Sequence, residues 1–378
     1  MSQVKIIKVN TDNDLKKFID LPHIIYKSDP NYVPELYIQV KKMLDKNKNA
    51  FFEHASADYF IALKDNQTVG RIAAVKDDHF IEFNKSKTAI FGFFDSINDK
   101  EIAHLLLNTA VDWAKEQGLS KIMGPSNLST NNTSFLLIDG FKVPPYIMMS
   151  YNKPYYQELI ESFGFVKEVD TLAYSLPTTL TSNDRFKKIQ RLSKTIEPRL
   201  QSKGIVIRNF NLKDFNNEVR IIKEIYNNAW EKSMDFVPMT DKEVDQMAKE
   251  LKPVLNPKYA FLAFHNEKPI GISITIPDIN QRLIKIKNGR LFPTGIFKLL
   301  NISTIKYCRV IIQGVIEDYR HLGIDVCFIS KLTNQGNEDG IIHTELSWIL
   351  EHNYPVINMF ENMGLKIYKK YRLYCKDI

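Results

Sequence analysis

The chain is poor in cysteine: its 378 residues hold three, Cys308, Cys327 and Cys375. An odd, widely spaced set supplies neither a disulfide framework nor a Cys-x-x-Cys metal site, and it suits a reducing compartment. Long apolar runs are missing as well. No uninterrupted stretch reaches the ~18 residues that a membrane span needs, and the start, "MSQVKIIKVNTDND", lacks the apolar core of a signal peptide, so a cytoplasmic location is expected. Nor is one sign of charge in large excess. The 51 basic and 44 acidic residues leave a net charge of +7, spread along the chain; this argues against nucleic acid as a partner and leaves room for an anionic ligand or a membrane surface. What the sequence does have is 44% hydrophobic residue over a length that exceeds one typical core, which predicts a folded protein of two domains.

An internal repeat supports that division. "YFIALKDNQTVGRIAA" (59–74) and "AFLAFHNEKPIGISIT" (260–275) both read as an apolar run, a polar turn and a second run, the pattern of a β-hairpin. Ala62, Gly70 and Asn152 recur as Ala263, Gly271 and Asn353, each 201 residues further on. The pattern predicts similar domains at 1–176 and 205–378, joined by a linker at 177–204 whose basic helix presents a solvated cationic face. Each half orders its elements as helices, hairpin, strand, helix, strand, helix, strand. That is a mixed α/β fold, a mainly antiparallel twisted sheet with helices on both faces.

One turn stands out chemically. In "VIEDYRHLGIDVCF" (315–328) an apolar strand passes through Arg320 and Gly323 into an apolar helix. The first amides of such a helix lack intrahelical partners and point at one spot, the helix dipole favours negative charge there, and glycine permits close approach. The reading is a phosphate site; the alternative is a glycine retained for packing.

The order of elements, the "YRHLGID" turn and the helix pattern N-x-x-V-x-x-x-F-x-x-x-G resemble the GNAT acyltransferase superfamily, over nearly the whole chain and as two tandem domains. "DPNYVPEL", "FFEHA", "VGRIAA", "GRLFP" and "ELSWILEHN" are similar to the bacterial tandem-GNAT proteins of the YghO-like group. The resemblance implies transfer of an acyl group from acetyl-CoA or another acyl-CoA to an amine of a small molecule or lipid, without a metal. The family's Q/R-x-x-G-x-G/A motif maps Arg320 and Gly323 onto the pyrophosphate turn, with Asp325 in place of the last small residue and read as a helix cap. The implied donor site comprises Val315, Arg320, His321, Leu322, Gly323, Ile324, Asp325 and Asn353.

Acyl transfer to an amine also needs a held oxyanion and a base. Gly314, inside "VIIQGVI", is read as a bulge that frees backbone amides for the thioester carbonyl, or as a packing contact to Trp348 or Phe328. In "HTELSWILE", strand alternation puts His343, Glu345 and Ser347 on one face, so Glu345 is the first candidate base and Glu351 the second; the alternative is merely the wetter face of a sheet. Phe360 stands where family members carry a tyrosine that protonates the leaving thiolate, with Tyr354, Tyr368 and Tyr371 as stand-ins.

The first domain departs further from the family. "FFDSINDKEIAH" places Asp95, Asp99 and Glu101 around the corresponding helix start, with no arginine, and would repel a pyrophosphate. Its polar loop "GPSNLSTNNTS" (124–134) is read either as part of an acceptor site, formed by Asn131, Tyr155 and Trp230, or as a turn-rich surface loop. The segment from Pro277 to Asn301, with Leu291, Phe292, Ile296 and Phe297 among lysines, reads as a lid over an acyl chain, a peripheral membrane contact or a cover for the core. Two other functions stay open: a GNAT-fold scaffold without chemistry, and a Fem-type transferase using aminoacyl-tRNA.

Overall fold

The computed structural model describes residues 3–230, 237–299 and 302–378. In chain order the elements begin with β1 (Lys5–Lys8), α1 (Asp12–Ile25), α2 (Tyr37–Leu44), β2 (Ala55–Lys64), β3 (Gln67–Asp77), α3 (Asp78–Asn84), β4 (Thr88–Ser96), α4 (Lys100–Glu116), β5 (Lys121–Gly124), β6 (Leu136–Asp139), α5 (Tyr156–Glu161) and β7 (Val166–Pro177). They continue with α6 (Asp184–Ser202), β8 (Ile205–Asn209), α7 (Phe215–Trp230), α8 (Asp241–Leu251), β9 (Ala260–His265), β10 (Lys268–Pro277), α9 (Asn280–Leu283), α10 (Gly295–Lys298), β11 (Tyr307–Val315), α11 (Ile324–Glu338), β12 (His343–Leu350), α12 (Tyr354–Met363) and β13 (Lys366–Asp377).

The chain forms two compact units, and they do not follow the division at 176 and 205. One unit holds the chain through Thr171 together with Ile279–Leu300 and Lys369–Ile378; the other holds Leu172–Asp278 and Asn301–Tyr368. The last strand, expected to close the second half, thus belongs from Lys369 onward to the first unit. There Tyr374 to Asp377 pair antiparallel with Gly124 to Lys121 of β5. Nor is 177–204 a separate linker: it lies in the second unit, although its basic side chains Arg185, Lys187, Lys188, Arg191 and Lys194 are exposed as expected. Helix α6 buries Phe186, Ser193 and Leu200 within the second unit, three positions spaced seven apart and so on one side of a helix.

In the first unit the strands run in the order β1-β2-β3-β4-β5-β13, with β6 also on β13. Neighbours are antiparallel except β4 and β5. Helix α4 is started by Asp99, whose carboxylate accepts the amides of Glu101 and Ile102, and it lays Ile102, Leu106, Ala110 and Trp113 into the core. In the second unit the order β8-β9-β10-β11-β12 repeats that plan, with only β11 and β12 parallel.

The core of the first unit contains a charge. Arg71 on β3 donates from Nε to Asp95 Oδ2 of β4 at 2.8 Å and from Nη1 to the Phe18 carbonyl at 3.0 Å. The other Asp95 oxygen accepts from the hydroxyls of Tyr26 and Tyr156, each at 3.0 Å. Asp95 therefore does not repel a ligand at the helix start. It is consumed by an arginine and two tyrosines, the condition under which burying a carboxylate is tolerable.

The Lys-rich insertion does cover a core, but in the first unit. Leu283 and Ile286 bury against Leu36, with Val33 and Leu291 packed around them. Gly289 is required there. Its φ is +64° and a Cβ would lie 2.3 Å from the Glu35 carbonyl oxygen. Arg290 next to it reaches Asp20 at 2.8 Å and covers the Tyr37 ring at 4.6 Å.

Replacing Arg71 with alanine strands the Asp95 carboxylate in the core and should cost about 3–5 kcal/mol of unfolding free energy. Urea unfolding measures this; a loss below about 1 kcal/mol, the range of exposed ion pairs, contradicts the network's role.

Candidate active site

In the second unit, two parallel strands part. Pairing between β11 and β12 runs from Tyr307 opposite His343 to Val310 opposite Leu346 and then stops, although β11 continues to Val315 and β12 to Leu350. Ile311, Ile312, Gln313 and Gly314 are half-buried along the released edge of β11. Such an edge offers a ladder of amides and carbonyls to an extended ligand, as a sheet edge does to a peptide. A bulge does exist, but not at Gly314. Gly314 lies in regular register opposite Ile272, while the slip falls between Ile274 and Thr275, so that Ile311 is the extra residue. The bulge coincides with the parting of the strands because the added residue bends the strand away from its parallel neighbour.

Beyond Val315 the chain makes a 3-10 turn, Glu317–Leu322, and reaches α11 through Gly323 in the left-handed conformation at φ +80°. Arg320 is exposed, yet two of its donors are spent on the chain itself. Its Nε donates to the Val315 carbonyl at 3.1 Å and its Nη2 to the Ala229 carbonyl at 2.9 Å, tying the turn to the end of α7. His321 is exposed, Leu322 half-buried and Ile324 buried. The bare face of Gly323 meets α6, where Cδ1 of Ile196 would stand 2.7 Å from an added Cβ. Asp325 folds onto the first turn of α11, its carboxylate accepting its own amide and that of Val326, and burial raises its pKa. The released edge of β11 thus fits an extended arm, whereas the turn beyond it is partly filled by the protein's own Ile196 and Asp325.

At the base of the gap sits a second buried charge. Glu345 is 1% exposed and pairs across the strands with Arg309, Nε to Oε1 3.5 Å. Arg309 also donates to the Ser347 hydroxyl at 3.0 Å, and that hydroxyl donates to Glu345 at 2.7 Å. The remaining Glu345 oxygen accepts from Tyr368, a half-buried phenol. A carboxylate held this way connects outward through a hydroxyl. Glu351, by contrast, lies in the turn after β12, half-buried. Asn353 opens α12 with its backbone carbonyl, which accepts from Val356 and Ile357. Of the tyrosine stand-ins, Tyr354 is 64% exposed and Tyr371 is buried in the first unit; only Tyr368 touches the charged cluster. Phe360 packs edge-on against Tyr174 at 5.1 Å, whose buried hydroxyl has no hydrogen-bond partner among the described residues.

The equivalent gap in the first unit is closed. Pairing of β4 with β5 stops at Ile90 opposite Met123, and the loop at 125–135 lies across the released edge. Ser126 donates its amide to the Phe91 carbonyl at 2.9 Å, and the Asn127 side chain accepts the Phe93 amide at 2.8 Å. The fit is close enough that a Cβ on Gly92 would stand 1.9 Å from the Ser126 carbonyl oxygen. The polar loop therefore satisfies β4 rather than lining an open surface. Within it Asn131 is half-buried, its amide donating to the Ser129 hydroxyl at 3.2 Å. Tyr155 donates to the Ser96 carbonyl at 2.8 Å, and burial raises its hydroxyl to about 12. Trp230 ends α7, and its side chain falls outside the described residues.

Sequence reasoning missed Arg309, and read Asn127 with the rest of its loop as a contact for an acceptor or a surface turn rather than as the partner of Phe93. Arginine inside the apolar "CRVIIQGV" was the available signal for Arg309, because a charge in a buried strand needs a partner.

Because burial raises the Asp325 carboxyl above its ordinary value, its ionisation weighs against the folded state. Stability should be greatest below the unfolded carboxyl pKa, ~3.9, fall as pH climbs through the raised value, and stay lower at neutrality. Asp325→Asn should therefore raise Tm at pH 7 and lose that advantage in acid. A variant less stable than the parent at pH 7 would instead mean that the charge stabilises the helix start.

Comparison with known proteins fits this doubled architecture. Residues 24–133 match the family model described as Acetyltransferase (GNAT) family. The chain is 36% identical to Protein YghO of Escherichia coli over 97% of this chain and 93% of that protein. It is 29% identical to a bacterial ceramide synthase of Caulobacter vibrioides, covering 100% and 98%. Among solved structures, a tandem GNAT protein from the clavulanic acid biosynthesis pathway superposes with a TM-score of 0.58 at 10% identity, covering 99% of this chain and 98% of that one. A GCN5-related N-acetyltransferase from Sphaerobacter thermophilus gives 0.52 at 10% identity, covering 99% and 95%. The chain belongs to the GNAT acetyltransferase superfamily, as a tandem-GNAT protein of the YghO family.

Proposed function

We propose that the protein is an N-acyltransferase that takes an acyl group from acyl-CoA, held in the second unit, and places it on the amine of a small molecule or lipid. The observation that carries this reading is the open edge of β11 from Ile311 to Val315. Its backbone is unpaired by β12 and suits the amides of a pantetheine arm. The matching edge in the first unit is already satisfied by Ser126 and Asn127, which supports one donor site per chain.

The chemistry follows from the charged cluster. The acceptor nitrogen attacks the thioester carbonyl, the carbon–sulfur bond breaks, and the nitrogen loses a proton. In this reading Tyr368 takes that proton while passing its own to Glu345, the partner of Arg309. In this reading the Val315 amide serves the oxyanion, while that of Gly314 is turned toward Ile272 of β10. The departing thiol has an ordinary pKa of ~8.5 and leaves without a dedicated acid, consistent with Phe360 at the tyrosine position. The relative named a ceramide synthase supports a long-chain amine as the acceptor, since a ceramide is an N-acylated one. Glu351 remains the second base of this reading and Trp230 an acceptor residue; Asn131 and Tyr155, bonded to Ser129 and Ser96 within the first unit, are not carried into it.

A binding protein without chemistry is the second reading, favoured by the way Ile196 and Asp325 occupy the phosphate turn. The two separate on one substitution. Tyr368→Phe keeps the Arg309–Glu345 pair and should lower kcat for acylation of a long-chain amine by about a hundredfold or more, with CoA affinity within about twofold. Mass spectrometry of the N-acyl product measures it. Absence of product from the wild type across short and long acyl-CoAs would favour the binding protein; full activity in the variant would remove Tyr368 from the proton path.

A further inference from the structure

The insertion that follows β10 has two unlike sides. Its inner side is spent on the first unit, through Leu283, Ile286 and the Arg290–Asp20 pair. Its outer side is apolar and uncovered: Phe292 is 74% exposed, Phe297 68% and Ile296 38%, while Gly295 between them is buried. Two phenylalanines and an isoleucine within six residues make a concentrated exposed patch, which soluble surfaces avoid unless it binds something.

The charge around the patch indicates what that is. From Ile279 to Ile316 the sequence contains no aspartate or glutamate, and Lys285, Lys287 and Lys298 are exposed beside the apolar residues. Lys298 donates to the Lys285 carbonyl at 2.7 Å, which holds the two ends of the loop together. Aromatic and aliphatic side chains beside lysines, in a segment with no acid of its own and with the neighbouring Asp20 paired to Arg290, match the interface of an anionic bilayer: the rings enter the acyl boundary while the ammonium groups stay at the phosphates. A protein partner would more often meet a patch of mixed charge and fewer lysines. Among the described residues no helix is long and apolar enough to cross a membrane, so the contact is peripheral. Ile24 and Ile38, 64% and 65% exposed, lie on α1 and α2, the helices against which the insertion packs.

We propose that this loop docks the protein on the surface of an anionic membrane, seating Phe292, Ile296 and Phe297 in the bilayer with Lys285, Lys287 and Lys298 at the headgroups. The inference stands on the insertion alone and does not use the acyltransferase reading.

Cosedimentation of the full chain with vesicles tests it, comparing phosphatidylcholine alone with phosphatidylcholine mixed with phosphatidylglycerol. Binding is expected on the anionic vesicles and should weaken with salt. Phe292→Ser with Phe297→Ser should weaken it at least about tenfold, and Lys285→Gln or Lys287→Gln about fivefold each. All the substituted side chains are exposed, so folding should be spared; any thermal shift induced by CoA should be unchanged in the variants, which keeps failure here distinct from failure of the donor site. Equal binding to both vesicle types, or wild-type binding by the double serine variant, overturns the proposal. Full competition by free glycerol phosphate would reassign the lysines to a soluble anion. A concentration-dependent increase in mass that the serine variant loses would make the patch an interface between copies of this chain.

Discussion

The rest of the structure depends on one constraint: where two parallel strands part, the backbone groups they release must find other partners. Both units contain this parting, between β4 and β5 and between β11 and β12. They meet the constraint differently. In the first, the chain supplies the partners itself, Ser126 to Phe91 and Asn127 to Phe93. In the second, the described residues make no such loop bond to Ile311–Gly314, and the Val315 carbonyl accepts from Arg320. A duplicated fold has thus left one edge without such a filling, among the described residues, and turned the other into structure, and the polar loop that reads as an acceptor surface is the filling.

Each unit also buries an arginine–carboxylate pair beside its parting strands, Arg71 with Asp95 and Arg309 with Glu345. The pairs differ in how they end. Asp95 is closed off by two fully buried tyrosines, whereas Glu345 connects to Tyr368, which is half-buried. A closed network fixes a core; one that ends in an accessible phenol can also move a proton. The same asymmetry that fills one gap and leaves the other therefore extends to the charges beneath them.

The doubling was legible because Ala62, Gly70 and Asn152 recur at one offset, and repeated turns and caps are local signals. The strand–turn–helix at Arg320 was legible for the same reason, since only glycine adopts the left-handed φ of Gly323 without cost. What was not legible depends on distant partners. The chemistry of Arg320 is decided by the carbonyls of Val315 and Ala229, the second of them 91 residues away. The buried face of α6 shows only as Phe186, Ser193 and Leu200 among polar neighbours. Assignment of the final strand to the first unit is a choice of pairing partner, and every strand there offers the same backbone groups. The bulge was expected at the visible glycine; it falls at Ile311, where no residue type marks it.

Hydrogen exchange on the intact protein, with and without CoA, tests the central claim most directly, because backbone amides are the groups in question. The account predicts new protection confined to residues 311–315 and the turn to Asp325, with Phe91 to Ser96 unchanged. Protection centred on β4 and the 125–135 loop, or none anywhere at saturating CoA, would contradict it.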